Sequence, residues 1–153
     1  MNPITRALTE RERTWCARAM EYCSITDHDV RQRAVDEALL HMQRPSLWSI
    51  RGPKTLIAHA TLYKRASGIT LGRHVYIKRS IASETGALPL SLVVHEVVHV
   101  AQYLEQGYAG FLARYLADYA KNLKSGMPDY EAYLNIPHEL EARRAERYIE
   151  RYA

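Results

Sequence analysis

The distribution of apolar positions divides the chain into helical and extended stretches. Residues 8–23, LTERERTWCARAMEYC, carry apolar side chains at helical spacing, and Thr9 with Glu12 three residues later forms a capping-box start. Residues 28–42, HDVRQRAVDEALLHM, predict a second helix capped by Asp27. QRPSLWSIRGPK reads as a loop, with two prolines and a glycine. Residues 55–79 change character. TLIAHATLYKR and GITLGRHVYIKRS are rich in β-branched and aromatic residues, and HVYIKR alternates Val75 and Ile77 against His74, Tyr76 and Lys78. This predicts a small sheet of two or three strands. Pro89 to Gly107 then frame a helix, 109–124 forms an amphipathic one, MPDYEAYLNI reads as a loop or short turn, and Pro137 opens a last helix. Helices, a small sheet and more helices make a mostly helical α+β domain spanning 1–153, with 1–50 as its N-terminal helices.

One segment breaks the apolar pattern. PLSLVVHEVVHVAQYLEQG, residues 89–107, places His95, Glu96 and His99 among valines and leucines that cover nearly the whole circumference of the helix. Burying such groups without partners costs several kcal/mol each, on the order of a large fraction of a domain's stability. Two histidines four apart face the same way, one turn apart, and can share one metal ion. Glu96 is offset by about 100° from His95. It flanks the metal, where a general base takes a proton from an activated water. A third ligand is needed, and His138, Glu139 and Glu141 stand at the start of the last helix. Periodicity alone does not choose among them.

Composition narrows the picture without redirecting it. The 153 residues suffice for one core, and 47% apolar with 25% charged residues is ordinary for a soluble protein. No apolar run reaches membrane-span length, and MNPITRALTERERTW is too charged for a secretory signal. The expectation is a cytosolically made protein without membrane partners, with leaderless export left open. The net charge of +4 is mild, and the densest basic cluster, EARRAERYIER, is interleaved with glutamates. It reads as a solvated helix face, not a nucleic-acid patch. Cys16 and Cys23 have no metal-site spacing and predict reduced core thiols.

H-E-x-x-H with these flanks resembles the zincin metallopeptidases, specifically the gluzincin-like group with two histidines and a glutamate. In that group the third ligand often stands in E-x-x-A on a later helix. The match here, Glu139-Leu140-Glu141-Ala142, points to Glu139, with Glu141 as the reserve. Many relatives place an acid four residues later, on a metal histidine; here that position is Arg143. Across residues 68–146 the chain is similar to small bacterial metallopeptidase domains associated with contractile injection and type VI secretion systems. The resemblance implies a minimal zincin binding Zn2+, with a peptide or protein substrate lying along an edge strand, placed by analogy at 74–79. It also implies association with a secretion or injection apparatus. Tyr130, Tyr133 and His138 precede or open the third-ligand helix and are candidates to stabilise the oxyanion, Tyr133 and His138 foremost. Gln102 and His74 are candidates to face the cleft. Two alternatives stand beside a peptidase: a zincin scaffold that binds peptide or partner with little cleavage, and a helical interaction or DNA-binding protein with an accidental motif.

Overall fold

The structure is a computed structural model that describes residues 4–23, 25–43, 52 and 67–153. The first helix, α1 (Glu10–Tyr22), starts at the predicted capping box: the Thr9 hydroxyl accepts from the Glu12 amide, and the Glu12 carboxylate accepts from the Thr9 amide at 2.9 Å. Glu12 also binds Arg6 at 2.7 and 3.0 Å, which ties α1 to a strand missing from the sequence reading, β1 (Ile4–Ala7). Asp27 caps α2 (His28–Glu37) by accepting from the amides of Asp29 and Val30.

The predicted second helix runs too far. It stops at Glu37, and Leu39–Gln43 forms strand β2. Leu39 and Met42 fit a helical apolar spacing with Val35, which is why the segment reads as helix. In the fold Leu40 and Met42 are fully buried, a period of two. Parallel pairing of β2 with a later strand outweighs local periodicity. The sheet continues with β3 (Gly68–Leu71) and β4 (His74–Lys78). Its order is β1-β2-β4-β3, with β2 and β4 parallel and the other two pairings antiparallel. Among the described residues the sheet is thus four-stranded and mixed, where two or three strands were expected. The predicted strand at 55–65 and, apart from Gln43 and Gly52, the loop before it lie outside the described residues.

One face of this sheet, with Leu40, Val75 and Ile77, joins the core. At the centre lies α3 (Leu90–Gln106), whose Val93, Val94, Val97, Val98 and Val100 are fully buried. Gly107, at φ +75°, ends α3 as expected, and its amide bonds the Tyr103 carbonyl at 2.8 Å. The chain turns there into α4 (Tyr108–Lys124). The stretch read as a loop or short turn holds a short helix, α5 (Asp129–Leu134), and Pro137 occupies the first turn of α6 (Pro137–Tyr152). His138, Glu139, Ala142, Ala145 and Ile149 form the buried side of α6, and its two alanines join the core that α3 occupies. Cys16 and Cys23 are buried free thiols, and burial pushes Cys23 up to about 11. Among the described residues, no helix is long and apolar enough to cross a membrane.

Candidate metal centre

Helix α3 delivers His95 and His99 one turn apart, with ring centroids 5.0 Å apart and ring planes at 77°. Both rings aim Nε2 at one carboxylate on α6. His95 Nε2 lies 3.0 Å from Glu139 Oε2, and His99 Nε2 lies 3.1 Å from Glu139 Oε1. The three residues are 8%, 5% and 3% exposed, so none is satisfied by bulk water. One atom from each lies within 4.8 Å of the other two, so the group can hold a metal ion.

The far side of each ring fixes its tautomer. Gln102 donates through Nε2 to the His138 carbonyl at 3.1 Å and to Glu141 at 2.9 Å. Both partners are acceptors, so its oxygen must face His99 Nδ1, 2.7 Å away, and Nδ1 carries the proton. His95 Nδ1 likewise faces the Glu146 carboxylate. Each neutral ring then presents a bare Nε2 lone pair toward the Glu139 oxygens. Three acceptor groups converging in a buried space need positive charge between them, either protons or a cation. Two imidazole nitrogens and one carboxylate are a donor set suited to a divalent transition metal with a position left open. The residues therefore fit the ion.

In the metal-free protein, protons supply that charge. Burial opposes a charge on His95, but the hydrogen bonds to Glu139 and Glu146 outweigh it and carry the ring up to about 10. His99 is raised as well, with burial opposed by the charge and hydrogen bond of Glu139. Burial alone would raise Glu139; the two charged rings hold it well below the usual carboxylate range. The stability His95 contributes is complete below its ordinary value of 6.5 and fades as pH rises through about 10. That of Glu139 is complete above 4.5 and fades on acidification. A bound cation needs both Nε2 atoms bare, so its contribution grows as pH rises. The increase in melting temperature on adding zinc should therefore be larger at about pH 8 than at about pH 5.5. Equal increases at both would contradict this assignment of protons.

Glu96 sits beside the group, 4% exposed. Its Oε2 accepts from the Thr70 hydroxyl of β3 at 2.7 Å. A Cβ on Gly68 would stand 3.0 Å from Oε1, so the absent side chain leaves the carboxylate its room. Two tyrosines close over Glu139. Tyr115 of α4 donates to its Oε1 at 2.9 Å. Tyr133 of α5 stands near enough to Glu139 and Glu96 that burial and both charges push its phenol above the ordinary range.

His95, Glu96, His99, Glu139 and Tyr133 thus come together as the sequence implied. Glu141 does not join the three converging groups; it holds Gln102. Gln102 is 2% exposed and orients the His99 ring, whose Nε2 faces Glu139. His138 is buried against Phe111 with ring centroids 4.6 Å apart; its Nε2 is taken by Gln106 at 2.8 Å, and its Nδ1 is buried without a partner among the described residues. Tyr130 is 70% exposed and points its bulk to solvent. His74 pairs with His41 at 2.9 Å on the sheet face away from Val75 and Ile77. The strand beside the metal helix is β3, not 74–79: β4 lies between β2 and β3, and among the described residues β3 pairs with β4 alone.

Glu146 was missed. The position four after Glu139 is Arg143, whose guanidinium turns to the Leu134 carbonyl. The supporting acid stands seven after the ligand instead, two turns on and on the same face. Glu146→Gln should lower metal affinity by about 10- to 100-fold while leaving the fold intact, measured by competition with a chromogenic chelator. Unchanged affinity would remove Glu146 from the site.

Comparison with protein-family models, curated proteins and solved structures finds no match. The functional reading rests on the geometry of the site itself.

Proposed function

We propose that the protein is a zinc-dependent metallopeptidase of minimal zincin type, acting on peptide or protein substrates. The observation that carries the reading is the convergence of His95 Nε2 and His99 Nε2 on the Glu139 carboxylate, with Glu96 buried beside them and held by Thr70. When bound, zinc supplies Lewis-acid activation of a water and of the scissile carbonyl.

The chain's own residues do the rest. Glu96 takes a proton from the attacking water and returns it to the departing amine. Thr70 occupies Oε2, which leaves Oε1 for that proton. Tyr133 keeps its proton well above neutral pH and donates to the oxyanion. Glu146 and Gln102 hold the two rings with Nδ1 protonated, so that Nε2 stays available to the metal. An extended substrate adds to the outer edge of β3, the strand that also carries Thr70, so its backbone register is set against the base.

Elemental analysis of purified protein is the first test. About one zinc per chain, lost in His95→Ala, is expected. Protein that purifies without a first-row transition metal and does not take up zinc would end the reading.

A further inference from the structure

The last helix looks charge-balanced in sequence and is not balanced in space. Its four glutamates are Glu139, Glu141, Glu146 and Glu150. Glu139 and Glu146 turn to the metal centre, and Glu141 turns to Gln102. Arg144, Arg147 and Arg151 remain on one exposed arc of about 60°, and Glu150 lies outside it. Among the described residues none of these three arginines forms an ion pair with a carboxylate. They line a cleft of about 190 Å3 with Tyr22, Tyr148 and Tyr152. Tyr22 is 52% and Tyr152 55% exposed. Like charges gathered on an open surface are unfavourable in the free protein and favourable toward an anion.

The aromatic rings indicate which anion. Tyr148 packs on Tyr22 and Tyr152 with centroids 5.0 and 4.9 Å apart and planes tilted by 36° and 48°. Arg151 covers Tyr152 at 5.8 Å, and Arg18 covers the adjoining Trp15 at 5.0 Å. Each ring has at least one tilted partner, another ring or a guanidinium group, so none stands as a bare platform for stacking nucleobases. Three guanidinium forks line the cleft beside these half-exposed rings. Such forks match carboxylates two oxygens at a time, and arginine with tyrosine and tryptophan is the composition of protein-binding hot spots.

We propose that this cleft is a docking site for an acidic segment of a partner protein, gripped by Arg144, Arg147 and Arg151. It lies on a different face of α6 from Glu139 and Glu146, and binding there is measured without reference to metal or catalysis.

The probe is fluorescein-labelled deca-glutamate, followed by anisotropy at about 20 mM salt, where screening is weak. R144E/R147E/R151E should weaken binding by at least about tenfold. R144K/R147K/R151K, which keeps charge and loses the forks, should weaken it several-fold. R114E/K121E/K124E makes the same change in charge on exposed positions of α4 and should bind within about twofold of the native protein. Circular dichroism confirms that each variant is folded. Three results would overturn the proposal: no binding of the peptide, equal weakening by the α4 variant, or a labelled ten-nucleotide oligo(dT) that binds more tightly and is lost in Tyr22→Ala/Tyr152→Ala. The last would make the cleft a nucleic-acid site.

Discussion

Glu96→Gln is expected to abolish peptide hydrolysis while zinc stays bound. General acid–base catalysis contributes about 10²- to 10⁴-fold, and glutamine can neither take nor return the proton. The substitution is nearly isosteric. Its amide oxygen can still accept from the Thr70 hydroxyl, which donates 2.7 Å away in the native protein. Glu96 is also not one of the three converging ligands. The variant should therefore keep its metal content and its melting temperature within a few degrees. Turnover of a denatured protein substrate, with metal content measured on the same sample, separates the outcomes. Native-level hydrolysis by the variant would remove Glu96 as the base. Zinc retention with no hydrolysis even in the native protein would favour a binding scaffold.

The second large effect is on stability. On the proposed reading a chelator removes the charge that holds His95, His99 and Glu139 together and leaves protons as the substitute. A ligand present at about 1,000 times its Kd stabilises by about 4 kcal/mol. For a chain of this size each kcal/mol moves Tm by about 2–4 °C. Stripping zinc near pH 8 should thus lower Tm by roughly 8–16 °C. His99→Ala should melt low with or without added zinc, since the ion loses one of its two nitrogens. Coincident melting curves with and without chelator would contradict a bound ion.

The centre of the site was legible because its chemistry is local. His95, Glu96 and His99 lie within one turn and a half of α3, and the surrounding valines announce burial. The third ligand was not legible from periodicity. His138, Glu139 and Glu141 share one helical turn, and the likeness to E-x-x-A selected Glu139. The supporting residues resisted for different reasons. Glu146 stands at a longer interval than the one searched. Thr70 and Tyr115 reach the site only through the packing of β3 and α4, which no spacing encodes. In the sheet, β1 has four residues, too few for a periodic signal. β2 has an apolar pattern compatible with helix until a parallel neighbour fixes its period. Strand order is a property of long-range pairing, so which strand lies against α3 could not be read from HVYIKR.

The ligands come from helices α3 and α6, 44 residues apart in the chain, with their exposure reduced to a few per cent. On the proposed reading an ion held there would fasten these two helices to each other across the intervening chain. The coordination position left open to water and substrate would also admit a small chelator, so metal loss should accelerate with chelator concentration while the helices stay packed.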